Sequence, residues 1–157
     1  MLQGILPYGN SVGGDGFAVI EHVVRLMGAR SPESQTHIPL ALALSKADTL
    51  QSLRQVQGNK WRQIMGRPGS PLRRDPSMRT PRFDQADGDL LHCEVAALLE
   101  EFGVSRVAHF LSMHAPRSRY FAVSALGAPP NGETLHAGGI APFRVLDPLK
   151  WILAVTA

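Results

Sequence analysis

His37-Ile-Pro-Leu-Ala-Leu-Ala-Leu-Ser-Lys-Ala-Asp48 decides how the rest of the chain is read. It is an apolar run that ends abruptly in Ser45, Lys46, Ala47 and Asp48. No polar residue interrupts the run at helical spacing, so it fits a strand buried on both faces, as in a parallel sheet. Polar residues at the C-terminal end of such a strand sit at the sheet edge where α/β proteins bind ligands. Tyr120-Phe-Ala-Val-Ser-Ala-Leu-Gly127 has the same form. Two such strands side by side would bring Lys46, Asp48, Ser124 and Ala125 together at one edge.

Helical patterns lie around these two stretches. Phe17, Ile20, Val24 and Met27 recur at helical spacing, with Glu21 and Arg25 four apart on the other face. Asp15 is placed to cap that helix and Gly28 to stop it. Thr49 to Gln57 can form a short helix capped by Asp48 or Thr49. Asp89 to Phe102 places Leu91, Val95, Leu98 and Phe102 on one face and ends at Gly103. Val104 to His114 reads as a further short helix, broken at Ala115-Pro116. Gly127 to Pro142 reads as a loop. Asp147-Pro148 signals a helix start, with Asp147 as cap and proline at the first helical position. The order of elements fits an α/β layer with at least two parallel strands. Two strands are few for a parallel sheet, so an open sheet edge is expected as a self-association surface.

Between these elements, residues 58–87 change character. They hold Lys60, Arg62, Arg67, Arg73, Arg74, Arg79 and Arg82 together with Pro68, Pro71, Pro76 and Pro81. Sparse apolar residues make this a mobile surface insertion with little regular structure. Trp61 lies within it, so nucleic acid or an acidic partner is a candidate ligand for this segment.

Composition bounds the rest. The 157 residues are one domain by length, 44% hydrophobic and 18% charged, which excludes a disordered chain. Net charge is +3. No apolar run reaches the about 18 residues that a membrane span needs, and Met1 to Pro7 lacks the pattern of a secretory signal. A cytoplasmic location without a membrane partner is the default expectation. The single cysteine, Cys93, excludes an internal disulfide and reads as inert helix core. Gly9-Asn-Ser-Val-Gly13 matches the nucleophile-elbow pattern, yet no strand precedes it, so it reads as a Gly-rich loop. The six histidines show no metal-ligand spacing.

Ser45-Lys46-Ala47-Asp48 after a strand resembles the Asn/Thr-Lys-x-Asp base-recognition motif of P-loop (TRAFAC/Ras-like) GTPases, with Ser45 where that family prefers Asn or Thr. Ser124-Ala125 after Phe121-Ala-Val resembles the family's second base motif, Ser-Ala-x. Arg119-Tyr-Phe before it and Pro142-Phe-Arg-Val-Leu-Asp-Pro-Leu-Lys-Trp151 after it look like a group of bacterial paired GTPases, the double-GTPase type. The resemblance covers residues 17 to 157, with residues 58–87 as an insertion.

It implies that Asp48 accepts both donors of a guanine edge, that Lys46 lies along the base, that the Ala125 N–H beside Ser124 meets the guanine carbonyl, and that Ser45 supports them. No Gly-x-x-x-x-Gly-Lys-Ser/Thr pattern is present, because the three lysines follow Ser45, Asn59 and Leu149. The implied fold is a partial P-loop NTPase-like sheet without its phosphate-loop half, over residues 1–157. The implied ligand is GTP or GDP, with Mg²⁺ only if another chain supplies a phosphate loop. That chain, or a second GTPase, is the implied partner. No catalytic residue is named, and hydrolysis by this chain alone is not expected. The alternative is a non-enzymatic interaction module that binds through its arginines.

Overall fold

A computed structural model describes residues 16–29, 31, 33–52, 63, 67–128 and 134–157. The elements are helix α1 (Gly16–Leu26), strand β1 (Leu40–Leu44), helix α2 (Ala47–Ser52), a short 3-10 turn (Pro71–Arg73), helix α3 (Gln85–Glu101), helix α4 (Ser105–His114), strand β2 (Ser118–Ala122) and helix α5 (Asp147–Thr156). The fold is therefore mixed α/β. Asp15, the Gly9–Gly13 pattern and Trp61 lie outside the described residues.

β1 and β2 are parallel, with Leu42 opposite Tyr120 and Ala43 opposite Phe121. They are the two strands of the sheet among the described residues. The expected strand from His37 is shorter, since β1 starts at Leu40, directly after Pro39. A proline has no N–H for the ladder, so pairing starts after it. Nor is β1 buried on both faces: Ala43 is exposed and the other four residues are half-buried. The faces of a parallel strand are covered by helices, and beside Leu42, Ala43 and Leu44 an apolar cavity lies open instead. β2 is the deep strand, with Tyr120, Phe121 and Ala122 all buried.

The core forms around the two faces of β2. α3 packs against it with Leu91, Val95 and Leu98, which are buried as their spacing predicts. The His92 ring stacks on Tyr120 with centroids 5.1 Å apart, and His92 Nδ1 accepts the Tyr120 N–H at 3.1 Å. Burial and the nearby Arg119 charge lower the His92 pKa, opposed in part by Asp89, which keeps that nitrogen free to accept. On the other face Phe121 meets Trp151 of α5 at 5.7 Å and Phe83 at 6.2 Å. Cys93 is exposed, which corrects its reading as core. It neighbours His92 in a helix, and adjacent helical residues point apart, so His92 takes the inward position.

Helix bounds differ where glycine or an ion pair decides them. α3 begins at Gln85 rather than Asp89. The Asp84 carboxylate accepts the Asp87 N–H at 3.0 Å. Gly88 sits inside that first turn because a Cβ there would lie 2.2 Å from Phe83 Cζ. A glycine that looks like a helix breaker is thus a close-packing position. α1 follows its spacing: Val24 is buried, Phe17 and Ile20 pack against the core, and Arg25 Nη2 pairs with Glu21 at 2.6 Å. Gly28 follows with φ +118, a conformation that favours glycine. At α5 the expected Asp147 cap is not made. Leu146 is the capping residue, and the Asp147 carboxylate turns to Arg144 instead.

The largest correction concerns the Arg/Pro segment. Its described part, residues 67–87, is no loose surface insertion. Ser70, Pro71, Leu72, Ser77 and Asp87 are buried, and Ser70 Oγ donates to Glu94 Oε2 at 2.7 Å. Prolines and arginines suggested solvation; buried side-chain and carbonyl contacts fix the segment instead.

Phe121 is fully buried between two rings. Phe121→Ala should lower unfolding stability by about 3–5 kcal/mol, read as a shift in the urea midpoint. A loss below about 1 kcal/mol would show that the β2–α5 contact is not the core.

Candidate functional site

The parallel pair brings the two strand ends together, as their sequences suggest. The Val123 N–H donates to the Leu44 carbonyl at 2.9 Å, and the Ala47 N–H to the Val123 carbonyl at 3.0 Å. Between them Lys46 takes φ +56, a left-handed conformation uncommon outside glycine. The Thr49 hydroxyl donates to the Lys46 carbonyl at 2.7 Å, which holds the bend into α2.

Asp48 and Ser124 meet inside this junction, at 5% and 1% exposure. The Ser124 hydroxyl donates to Asp48 Oδ1 at 2.5 Å, and Ser124 Oγ accepts the Gly127 N–H at 2.8 Å. The Ser124 backbone also exchanges both hydrogen bonds with Phe143, at 3.0 and 2.8 Å. Gly127 is required here. Its φ is +76, and a Cβ would lie 1.7 Å from the Ala141 carbonyl oxygen. Ser45, Lys46 and Ala125 are exposed around the pair. The five residues thus share one edge, but the carboxylate faces inward to a serine of its own chain.

A second polar cluster went unseen in the sequence. Arg144 is fully buried with φ +54. Its Nη2 pairs with Asp87 Oδ2 at 2.5 Å and its Nη1 with Asp147 Oδ2 at 2.5 Å. Its Nε donates to the Pro71 and Arg74 carbonyls, both at 2.9 Å, and its backbone N–H to Asp75 Oδ2 at 2.6 Å. Arg74 Nε reaches the other oxygen of Asp87 at 2.7 Å. The three-residue spacing of Arg144 and Asp147 is the one local signal of a pair; nothing local points to Asp75 or Asp87, 69 and 57 residues away. Burial raises the Asp147 pKa, with Arg144 opposing. At Asp75 burial also acts to raise the pKa. Bonds from Ser77 and the Arg144 N–H, with the Arg144 charge, outweigh it and lower the pKa below 3.8.

An apolar cavity of about 300 Å³ opens among α1, β1, α3 and α4, with Phe17, Ile20, Leu42, Leu44, Val95 and Tyr120 in its wall. Among the described residues no group of three or more His, Cys, Asp and Glu could hold a metal ion. No helix among them is long and apolar enough to cross a membrane.

Over 155 residues, 96% of its length, the chain is 39% identical to a Mycolicibacterium smegmatis protein provisionally named an ESX-1 scaffolding and assembly protein, SaeC. The chain spans about 38% of that relative's length. No protein-family profile matches the chain. No solved structure matches it.

This likeness overturns the resemblance to P-loop GTPases, and with it the reading of a GTP-binding half-domain. It runs along nearly the whole chain, whereas the GTPase resemblance rested on Ser45–Asp48, Ser124–Ala125 and two short flanking stretches. Of those residues, Asp48 and Ser124 are tied to each other. The expectations of GTP or GDP, of Mg²⁺, and of a chain carrying a missing GTPase half rested on that resemblance alone.

Two outcomes test these clusters. Ser124→Ala removes the donor to a buried carboxylate and should cost about 1–3 kcal/mol of unfolding stability, measured in urea; a neutral effect would show that the junction is not held by this bond. Asp75 has a folded pKa below 3.8, so its contribution is present above 3.8 and is lost as pH falls through the folded value. Asp75→Asn should therefore be less stable near neutrality and lose stability less steeply in acid than the wild type. Parallel acid slopes in urea midpoints would refute this.

Proposed function

We propose that this chain is a non-enzymatic interaction module of a scaffolding and assembly protein, acting by binding other proteins. One observation carries the reading: 39% identity along 96% of the chain to a protein named for scaffolding and assembly in ESX-1. The chain is read as one folded unit, consistent with a single buried cluster that draws on both strands, α1, α3, α4 and α5.

The surface supports this reading. α1 has an inward apolar row of Phe17, Ile20 and Val24, yet Val19, Val23 and Leu26 form a second, exposed row at 57%, 39% and 70%. α5 likewise buries Trp151 while Leu149 and Leu153 stand exposed. A helix that is apolar on both sides is usually covered on both. Repeated exposed rows of large aliphatic residues suit protein contacts.

The test is a chimera. The chain replaces the matching stretch of SaeC in M. smegmatis, and ESX-1 assembly is followed by sedimentation of its components. The chimera should support assembly, and Val19→Asp with Val23→Asp should reduce it while leaving the circular-dichroism spectrum unchanged. A folded chimera that supports no assembly would overturn the reading, as would full assembly by a chimera whose two exposed helix rows are both replaced by polar residues.

A further inference from the structure

A second groove, of about 370 Å³, runs between residues 81–83 and α5. Its wall combines Phe83, Leu153 and Ala154 with two cations, Arg82 and Lys150. Lys150 Nζ donates to the Ser77 and Thr80 carbonyls, which fastens the 77–80 turn onto α5. Those acceptors are neutral, so the lysine charge is held in place without being cancelled. Arg79, in the same turn, and Arg82 are exposed. Among the described residues neither has an ion-pair partner. Among the described residues no acidic residue lines the groove. The carboxylate next in sequence, Asp84, is engaged in capping α3.

We propose that this groove docks an acidic peptide segment of a partner protein, with aliphatic residues seated against Phe83 and Leu153 and carboxylates facing Arg79, Arg82 and Lys150. The proposal rests on the interaction-module reading and gives its partner a chemistry. Two observations select this occupant. Lys150 bonded to neutral carbonyls, beside Arg79 and Arg82 that have no ion-pair partner among the described residues, leaves positive charge that favours an anionic ligand. The groove floor is aliphatic and phenyl surface from Leu153, Ala154 and a Phe83 ring already packed edge-on against Phe121. Such a floor suits leucine or isoleucine side chains better than stacked bases. Leu149, one helical turn before Leu153 and also exposed, extends the apolar strip along α5.

The experiment is a selection from a displayed library of random peptides on the full chain, with a Leu153→Glu, Arg82→Glu variant for counter-selection. Enriched peptides should be net acidic with aliphatic residues at helical spacing. Each of Leu153→Glu and Arg82→Glu alone should weaken them by about tenfold or more. Added salt should weaken them further. Both positions are exposed, and circular dichroism checks that the variants stay folded.

Peptides that are neutral or basic, or that bind the double variant equally well, would overturn the proposal. So would an empty selection. Oligo-dT binding that falls with Arg82→Glu but not with Leu153→Glu would assign the cations to nucleic acid instead and also overturn it. The chimera assay separates this from the broader reading: assembly supported by the chimera, with no acidic peptide enriched, removes the groove assignment alone.

Discussion

Arg144 is the one residue whose bonds reach the 71–75 segment, α3 and α5 at once among the hydrogen bonds and ion pairs described. One guanidinium and one backbone N–H join the 71–75 segment, the first turn of α3 and the first turn of α5. A buried cation is tolerated only when carboxylates surround it and its donors are used. Asp87 and Asp147 supply the charge, and two carbonyls take up Nε. The left-handed backbone at Arg144 carries a cost of order 1–3 kcal/mol. It persists because the contacts on every side fix the residue.

The consequences reach the sheet. Phe143, next to Arg144, pairs with Ser124 at the end of β2. α5, anchored through Asp147, places Trp151 on Phe121. The Ser124–Asp48 bond then closes the far end of the parallel pair. The arginine cluster and the serine–aspartate pair therefore fasten the two ends of one short stretch, residues 124–147. A polar network fully supplied with partners rigidifies the parts it joins.

This arrangement directs the functional reading outward. Of the polar groups that the sequence offered for ligand chemistry, Asp48 and Ser124 are bonded to each other, while Ser45 and Lys46 stay exposed. The surface also carries apolar rows on α1 and α5, and beside a groove Arg79 and Arg82, which have no ion-pair partner among the described residues. The same segment of arginines and prolines serves both purposes. Arg74 is paired with Asp87, while Arg79 and Arg82 face solvent from a turn that Lys150 clamps.

The sequence by itself determined the elements that repeat at a fixed period. The inward row of α1, the Leu91–Val95–Leu98 face of α3 and the pairing of two apolar strands follow from local spacing, since burial imposes period 3.6 on helices and short apolar runs on strands. Their meeting at Asp48 and Ser124 followed from the parallel pairing of the two strands. Only the tertiary structure showed that the two side chains bond each other there. Asp48 could equally have faced a ligand, and its turn inward depends on Ser124, 76 residues away. Likewise Pro71, Arg74 and Asp87 look solvated until Arg144 arrives from the far end of the chain. Long-range charge pairing leaves no periodic trace, and four-residue patterns such as Ser45–Asp48 are too short to carry a family on their own.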